Sequence, residues 1–395
     1  MSGASAVDAA RITAWSAADR TARPARLERL RARMEREGVD AYFGIRAEHA
    51  RYLTGFELAD GEEKVSGNSG WFLITADEVV VLADSRYVEQ AEEQCPDARI
   101  AEAYNDLPTR WPKMAARHRR VAAEADVIPQ ALWTRLLAAE PAVELVPIEG
   151  WLEADRAVKE ASELERVGVA CAIADAALEA LLPSIRAGQT EAELALDLEW
   201  AIRTSGAEAL AFDVACLAGP RAALPHGSPG THRVQEGEVL LFDFGARVAG
   251  YRSDMTRTLF VGHASDRDLA IYELVARAQQ AALDALTAAA TGGQAPSGKA
   301  VDAIARGVIE AAGHGQHFGH GLGHGIGLAT HEAPSLGMRA TDDPLPAPTV
   351  FSVEPGVYLP GETGVRIEDL VIFDPFTGRS ELITHFPREV TVVGV

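Results

Sequence analysis

Two acidic residues in the C-terminal half of the chain are spaced as paired carboxylates of a metal site would be. Asp243 ends an apolar run and Asp254 precedes the next one, and both are equidistant from a point between Val248 and Ala249. If a hairpin turns at that point, the two residues are directly opposed, with Cβ atoms about 4.5–5.5 Å apart. Carboxylates that close repel each other unless a shared proton or a cation neutralises them.

Glu354 and Glu368 repeat this arrangement further along the chain. Their midpoint is Gly361, inside the turn-forming sequence Leu-Pro-Gly-Glu-Thr-Gly at residues 359–364. Taken singly, each acidic residue is explained as well by chance placement near a strand end. Four acidic residues placed symmetrically about two turns favour a cation site instead.

Histidines alternate with glycines between residues 317 and 331. His320 and His324 have the spacing of a helical zinc motif, but each glycine from 319 to 327 would cost a helix about 1 kcal/mol relative to alanine. In an extended backbone both rings face the same side, and glycines allow close approach of the backbone to a ligand. Four oxygen donors and an imidazole suit a pair of divalent ions, Mn, Co or Zn, better than one structural zinc.

The elements that must position these residues fall into two predicted domains. Residues 1–154 alternate strands and helices, which predicts a small three-layer α/β domain. Residues 155–395 combine paired helices with antiparallel strands and predict an α+β domain. The predicted helices are 24–37, 85–95, 129–139, 160–186, 190–205, 266–290 and 299–312, and the predicted strands are 39–45, 71–75, 79–83, near 121 and 143, 239–244, 255–261, 350–357 and 365–373.

Net charge and sequence motifs argue against several other classes of function. The net charge of -21 disfavours a nucleic-acid partner. The Gly/His segment contains no Gly-x-Gly-x-x-Gly and follows a predicted helix, so a dinucleotide fold is unsupported. Asp243-Phe-Gly imitates a kinase signature but lacks its companion loop.

Charge and cysteine patterns predict a cytoplasmic protein without a membrane anchor. Residues 1–20 carry four charged side chains and no apolar core of a signal peptide, and we expect them to be a frayed lead-in. No run of eighteen apolar residues predicts a membrane span. Cys95, Cys171 and Cys216 form no Cys-x-x-Cys pair, which suits a reducing compartment.

Six stretches together resemble the creatinase/prolidase metallopeptidase family in its Xaa-Pro branch, which comprises aminopeptidase P and prolidase. They are Ala-Leu-Pro-His-Gly at 223–227, Leu-Phe-Asp-Phe-Gly at 241–245, Ser-Asp-Met-Thr-Arg-Thr at 253–258, the Gly/His segment with His-Glu at 331–332, Ser-Val-Glu-Pro-Gly at 352–356 and Val-Arg-Ile-Glu-Asp at 365–369. The resemblance implies a pita-bread catalytic domain over residues 155–395, preceded by a creatinase-like N-terminal domain.

The resemblance also implies a role for each candidate residue. Asp243 would bind one metal ion, His324 and Glu354 the other, and Asp254 and Glu368 would bridge both. The histidines that handle substrate fall on His226, His320 and His331, and Arg366 would orient a carboxylate ligand or substrate. No metal position departs from the family pattern.

We therefore expect an enzyme with two divalent ions, Mn first among them, that hydrolyses the Xaa-Pro bond of dipeptides or peptide N-termini. A metal-bridging hydroxide would attack the carbonyl, His320 or His331 would donate a hydrogen bond to it, and Glu354 would carry the proton. The alternatives are an aminopeptidase of other specificity, a related amide hydrolase and a peptide-binding module without catalysis. Arg46 and Arg51 are candidates to bind a dipeptide carboxylate, and the family implies a homodimer.

Overall fold

The computed structural model describes residues 7–58 and 66–394, which form two compact units. One unit comprises residues 13–155, and the other comprises residues 156–394 together with residues 7–12, over the described ranges. The predicted frayed lead-in lies partly outside the described residues, at residues 1–6.

The N-terminal unit alternates helices and strands as predicted. Its elements are α1 (Ala9–Glu37), β1 (Ala41–Gly44), α2 (Ala47–Thr54), β2 (Phe72–Thr75), β3 (Val79–Ala83), α3 (Val88–Gln94), β4 (Arg99–Glu102), α4 (Leu107–Ala115), β5 (Arg120–Glu124), α5 (Gln130–Ala139), β6 (Glu144–Ile148) and α6 (Trp151–Ala157). The strands form one sheet in the order β4-β3-β2-β1-β5-β6.

Both faces of this sheet are covered. Neighbouring residues of β1 point to opposite sides: the ring of Phe43 lies 5.2 Å from Trp111 of α4, and that of Tyr42 lies 6.2 Å from Trp151 of α6. A sheet between two layers of helices confirms the three-layer α/β prediction for this domain.

The predicted start of the first helix at Pro24 is wrong. Helix α1 begins at Ala9, and Pro24 lies inside it. Proline removes one helical hydrogen bond, but the preceding residues are mostly good helix formers and Trp15 is buried. Packing of Trp15 therefore extends the helix over residues that we expected to be frayed.

The remaining helices and strands belong to the C-terminal unit. They are α7 (Ala161–Leu181), α8 (Glu191–Thr204), β7 (Ala209–Leu210), β8 (Ala215–Ala218), β9 (Val239–Phe244), β10 (Ala246–Val248), β11 (Tyr251–Arg252), β12 (Met255–Val261), α9 (Asp266–Thr291), α10 (Gly298–Ala311), β13 (Gly323–Gly325), β14 (Glu332–Leu336), β15 (Thr349–Val353), β16 (Gly356–Leu359), β17 (Thr363–Arg366), β18 (Asp369–Asp374), β19 (Arg379–Leu382) and β20 (Val392–Val393).

Two sheets in this unit carry the candidate site. One has the order β20-β12-β9-β8 and the other β14-β13-β15-β18-β19. Strands β16 and β17, which lie between β15 and β18 in the sequence, form a separate two-stranded sheet. Helices α9 and α10 bury their apolar faces in one core with both sheets, through residues such as Val275, Ala305 and Phe351. The core holds the two sheets in fixed positions behind the site.

The helical stretch Ala161–Ser184, which begins with α7, is long and apolar enough to cross a membrane by length and composition, with a mean hydropathy of 1.5 in its most apolar window. Half of that window is buried inside the protein. Glu163 and Arg166 are among its buried residues, as is common in a core helix with satisfied polar groups.

Candidate metal centre

The first hairpin brings Asp243 and Asp254 to one face of its sheet, but in a different register from the predicted one. Asp243 is paired with Thr256, so Asp254 is its diagonal neighbour and not its direct partner. The hairpin turns at Ala249 and Gly250, both at positive φ, rather than between Val248 and Ala249. Since side chains alternate along a strand, Asp254 and Thr256 share the face of Asp243.

The second hairpin has the predicted register. Val353 pairs with Asp369, and Gly356 pairs with Arg366, so both ladders are centred on Gly361. Glu354 and Glu368 lie in the gap between these two ladders, at equivalent positions on the two chains.

The third part of the site is β13, which carries His324 between two glycines. The predicted close approach of glycines to a ligand stays a prediction, and two of these glycines also allow close approach to neighbouring strands. A Cβ atom on Gly323 would lie 1.9 Å from the carbonyl oxygen of Ser352, and one on Gly325 would lie 2.1 Å from that of Ala333. The glycines therefore let β13 fit between β14 and β15.

All predicted site residues line one cavity of about 590 Å³. They are Asp243, Asp254, His324, Glu354, Glu368, His226, His320, His331 and Arg366. Phe212, Pro225 and Thr330 contribute to its walls.

Within this cavity, ligand atoms of Asp254, His324 and Glu368 all lie within 4.8 Å of one another. Nε2 of His324 lies 3.8 Å from Oδ2 of Asp254 and 3.3 Å from Oε1 of Glu354. Its Nδ1 lies 3.1 Å from the carbonyl oxygen of Gly325 and donates to it, which directs the lone pair of Nε2 toward the carboxylates. This is the arrangement in which a histidine binds a metal ion.

Burial and mutual repulsion raise the pKa values of the clustered carboxyl groups. Burial is the largest cause for Asp254 and Glu368, whose pKa values rise well above the ordinary range, and the nearby carboxylates raise them further. Burial raises the pKa of Glu354 to about 7. Burial lowers the pKa of His324, so its ring is neutral.

The donor set fits divalent cations. Oδ1 of Asp243 and Oε1 of Glu368 are buried and have no hydrogen-bond partner among the described residues, and a buried carboxylate oxygen without a partner is costly. A cation would satisfy both oxygens and neutralise the repulsion. Several carboxylates with one neutral imidazole are the ligands that Mn, Co and Zn accept.

Arg366 links the metal-binding face to His320. Its guanidinium lies 2.5 Å from Oδ2 of Asp243 and 2.8 Å from the hydroxyl of Tyr358, which in turn lies 2.9 Å from Nε2 of His320. Nδ1 of His320 lies 2.8 Å from the carbonyl oxygen of Gly321. Both ring nitrogens of His320 are thus engaged, with Nδ1 donating and Nε2 accepting from Tyr358.

His331 is placed differently from His320. Its ring centroid lies 4.2 Å from that of His324, and burial lowers its pKa to about 4, so the ring is neutral. The described residues offer its ring nitrogens no hydrogen bond. Of the two predicted donors to a substrate carbonyl, His331 is therefore the one whose N–H is available.

Three hydroxyl groups at the site were not anticipated from the sequence. Thr256 Oγ1 lies 2.6 Å from Oε2 of Glu368, and Ser352 Oγ lies 3.0 Å from Oε1 of Glu354. The third is Tyr358. All three residues lie in or next to the motifs that identified the carboxylates. The spacing of these motifs does not distinguish the three hydroxyl residues from ordinary strand residues.

Comparison with known proteins agrees with this geometry. Residues 165–375 match the model of metallopeptidase family M24, and residues 26–158 match the creatinase/prolidase N-terminal domain. A curated Xaa-Pro dipeptidase of Lactobacillus delbrueckii is 32% identical over 91% of this chain and 99% of its own.

Solved structures are similar over almost the whole chain. An Xaa-Pro dipeptidase from Bacillus anthracis is 34% identical with a TM-score of 0.83, and an X-Pro aminopeptidase from Thermotoga maritima is 34% identical with a TM-score of 0.81. Each comparison covers 93% of this chain and 99% of the other. The chain has the pita-bread fold of these proteins and belongs to metallopeptidase family M24, as a peptidase that uses divalent metal ions.

Proposed function

We propose that this metallopeptidase hydrolyses the bond that precedes proline, in dipeptides or at peptide N-termini, with two divalent ions. The observation that carries the proposal is the convergence of Asp254, His324 and Glu368 in a cavity that three further histidines line. The relatives named as Xaa-Pro dipeptidases and X-Pro aminopeptidase support the specificity for proline.

The proposed ligands are the five residues inferred from the sequence. Asp243 would hold one ion, His324 and Glu354 the other, and Asp254 and Glu368 would bridge them. The unpartnered oxygens of Asp243 and Glu368 support this assignment. Bound divalent ions would lower the pKa of water and polarise the scissile carbonyl group.

The protein's own groups would orient the substrate and move the proton. His331 would donate a hydrogen bond to the carbonyl oxygen as negative charge develops on it. His226 lines the same cavity and would contact the substrate. His320, held by Tyr358, would fix the orientation of Arg366 and so of Asp243.

Glu354 is the proposed proton carrier. The leaving nitrogen of an Xaa-Pro bond is that of the proline ring, which carries no hydrogen in the peptide and must gain a proton to leave. Glu354 would take a proton from the attacking water and pass it to that nitrogen, because its carboxylate lies in the same cavity as the proposed ligands.

The substrate's length is a separate part of the proposal. Both candidate cations of the N-terminal unit are already paired: Arg46 contacts Asp126 and Glu153, and Arg51 contacts Glu57. Cleavage of an Xaa-Pro dipeptide, compared with that of the same peptide extended by one residue, distinguishes a dipeptidase from an aminopeptidase.

We further propose manganese as the ion, a homodimer and a cytoplasmic location. The buried, unpaired state of all three cysteines accords with a reducing compartment. The metal and the dimer rest on the family resemblance. Metal analysis of the purified protein and its mass in solution test these two points.

The proposal is tested by Asp254→Ala in parallel with a panel of Xaa-Pro, Met- and Leu-peptides. We expect the wild-type protein to prefer the Xaa-Pro peptides and the variant to lose divalent ions and nearly all activity. Unchanged Xaa-Pro cleavage in the variant would contradict the metal assignment. A preference for Met- or Leu-peptides would support an aminopeptidase of other specificity.

A further inference from the structure

Three charged side chains are buried together directly behind His331. They are Arg156, Lys159 and Glu332, whose side chains are 5%, 1% and 3% exposed. Nζ of Lys159 lies 2.8 Å from Oε1 of Glu332, and the guanidinium of Arg156 contacts Oε2. We call these three residues the Glu332 cluster.

Burying the charged side chains of the Glu332 cluster carries a large desolvation cost. Taking charges out of water costs several kcal/mol each, and apolar residues of similar volume often stabilise a fold as well or better. A role in placing a particular segment accounts for the Glu332 cluster better than stability alone.

The segment that the cluster holds is the loop between β13 and β14. Glu332 begins β14 and pairs with Gly325 of β13. Its Oε2 also accepts a hydrogen bond from the backbone N–H of Ala329, at 3.3 Å. One carboxylate therefore fixes the last turn of the loop and the strand that follows it.

The fit of the loop against the cluster is close. A Cβ atom on Gly327 would lie 2.4 Å from Oε1 of Glu332 and 3.1 Å from Cε of Lys159. Lys159 is itself anchored, since its Nζ donates to the carbonyl oxygen of Arg156 at 2.6 Å and its backbone N–H donates to that of Pro348 at 2.8 Å. The loop backbone thus rests on a fixed support.

His331 depends on this support more than the other site histidines do. The ring of His324 is held by Gly325 and that of His320 by Tyr358. The described residues give the ring of His331 only the tilted contact with His324. Among the described residues no hydrogen bond orients this ring, so its placement depends on its backbone, which Glu332 fixes at the next residue.

We propose that Arg156, Lys159 and Glu332 are positioning residues for His331 in the peptidase reaction, an inference that rests on the proposed function. Without the cluster, the loop shifts and the N–H of His331 no longer meets the substrate carbonyl. Four of the five proposed metal ligands lie outside β13 and β14, and the fifth, His324 on β13, has its own ring contact with the carbonyl oxygen of Gly325.

The test is a double-mutant cycle between Lys159→Met and His331→Ala, assayed on an Xaa-Pro peptide with metal-loaded protein well below the melting temperature. We expect Lys159→Met to lower kcat about tenfold or more with little change in KM. In the His331→Ala background, the same change should lower kcat less than about twofold. Lys159→Arg, which keeps the charge, should restore part of the activity.

Equal factors in the two backgrounds would overturn the proposal, because a merely structural loss is independent of His331. Glu163→Gln is the matched control: Glu163 is a buried glutamate of the same unit that accepts from the hydroxyl of Tyr251 at 2.8 Å. This variant should lower the melting temperature and leave kcat unchanged in the folded protein.

A readout without turnover keeps this proposal separate from the proposed function. The ring resonance of His331, assigned by its loss in His331→Ala, should shift and broaden in Lys159→Met, while that of His320 stays unchanged. An unchanged His331 resonance would overturn the positioning role even if no Xaa-Pro peptide is cleaved. If the resonance shifts and no Xaa-Pro peptide is cleaved, the substrate assignment fails and the positioning of His331 stands.

Discussion

The hydroxyl of Tyr358 lies 2.9 Å from Nε2 of His320 and connects it to the arginine that contacts Asp243. Tyr358 is buried, and its pKa is raised to about 12, chiefly by burial, so it stays protonated and donates to the imidazole. Histidine, tyrosine, arginine and aspartate thus form one hydrogen-bonded chain across the cavity. A substitution at one end of this hydrogen-bonded series therefore affects the orientation of the side chain at the other end.

The first prediction follows from this series of hydrogen bonds. Tyr358→Phe removes the contact between His320 and Arg366 without changing the shape of the ring. A hydrogen bond to a charged group such as Arg366 contributes about 1.5–3 kcal/mol, so we expect kcat/KM to fall about 10- to 100-fold. Steady-state assays on an Xaa-Pro peptide measure the effect, and activity within a factor of two of the wild type would contradict it.

The second prediction concerns Thr256, whose hydroxyl lies 2.6 Å from Glu368 and 2.8 Å from Nε of Arg366. Thr256→Val keeps the volume and removes this support from a proposed bridging ligand. Outer-shell partners of this kind typically change metal affinity about 10- to 100-fold. We expect a loss in that range in a metal-competition titration.

Thr258 supplies the control for that titration. It lies two residues further along β12 and is also buried. Among the described residues its hydroxyl forms hydrogen bonds only with the backbone of Arg366, with its Oγ1 2.9 Å from the carbonyl oxygen. Thr258→Val should reduce stability with little change in metal affinity. Equal losses of affinity in both variants would mean that the effect comes from strand packing and not from Glu368.

The two hairpins show why one register was predicted correctly and the other was not. Gly361 lies in a turn sequence between two apolar strands, so residue types alone locate the centre. In the first hairpin the turn includes Ala249 at a φ of 44°, a conformation that alanine rarely adopts. The residue type of Ala249 does not predict a positive φ. The predicted centre of the hairpin was therefore wrong by one residue, so that Asp243 pairs with Thr256 and not with Asp254.

The carboxylates and histidines were predictable because their chemistry and spacing are unusual. The supporting hydroxyls of Thr256, Ser352 and Tyr358 were not, because neutral residues of these types are common in strands. Their function exists only through contacts between distant segments. Likewise, the long first helix depends on burial of Trp15, which local propensity does not show.

The third prediction tests the role of the glycines beside His324. In Gly323→Ala the new Cβ atom would lie 1.9 Å from the carbonyl oxygen of Ser352, so β13 must move away from β15. We expect a loss of stability of about 2 kcal/mol or more together with weaker metal binding. Thermal unfolding with and without metal measures both effects.

Gly319→Ala is the matched control in the same segment. Apart from its chain neighbours, no described residue has an atom within 4 Å of a Cβ atom at that position, so alanine fits there without a clash. We expect unchanged metal binding and a melting temperature within about 2 °C of the wild type, since surface substitutions usually change stability by less than 0.5 kcal/mol. A large loss in this variant would show that the glycines serve flexibility rather than strand packing.

The last prediction concerns metal removal and pH. In the metal-free protein the folded state raises the pKa values of Asp254, Glu354 and Glu368 above their unfolded values, and that of Glu354 reaches about 7. The folded state therefore binds more protons than the unfolded state between about pH 4.5 and 7, and the contribution of these groups to stability falls as pH rises through that window.

Metal ions compete with those protons, so the metal-loaded protein is spared this loss. We expect the difference in melting temperature between metal-loaded and metal-free protein to grow from pH 5 to pH 7.5, by on the order of 5 °C. Thermal unfolding at a series of pH values measures the difference, with Asp254→Ala as a comparison in which it should nearly vanish. A difference that shrinks as pH rises would contradict the buried carboxylate cluster as the metal site, because it would mean that metal binding does not displace protons from these groups.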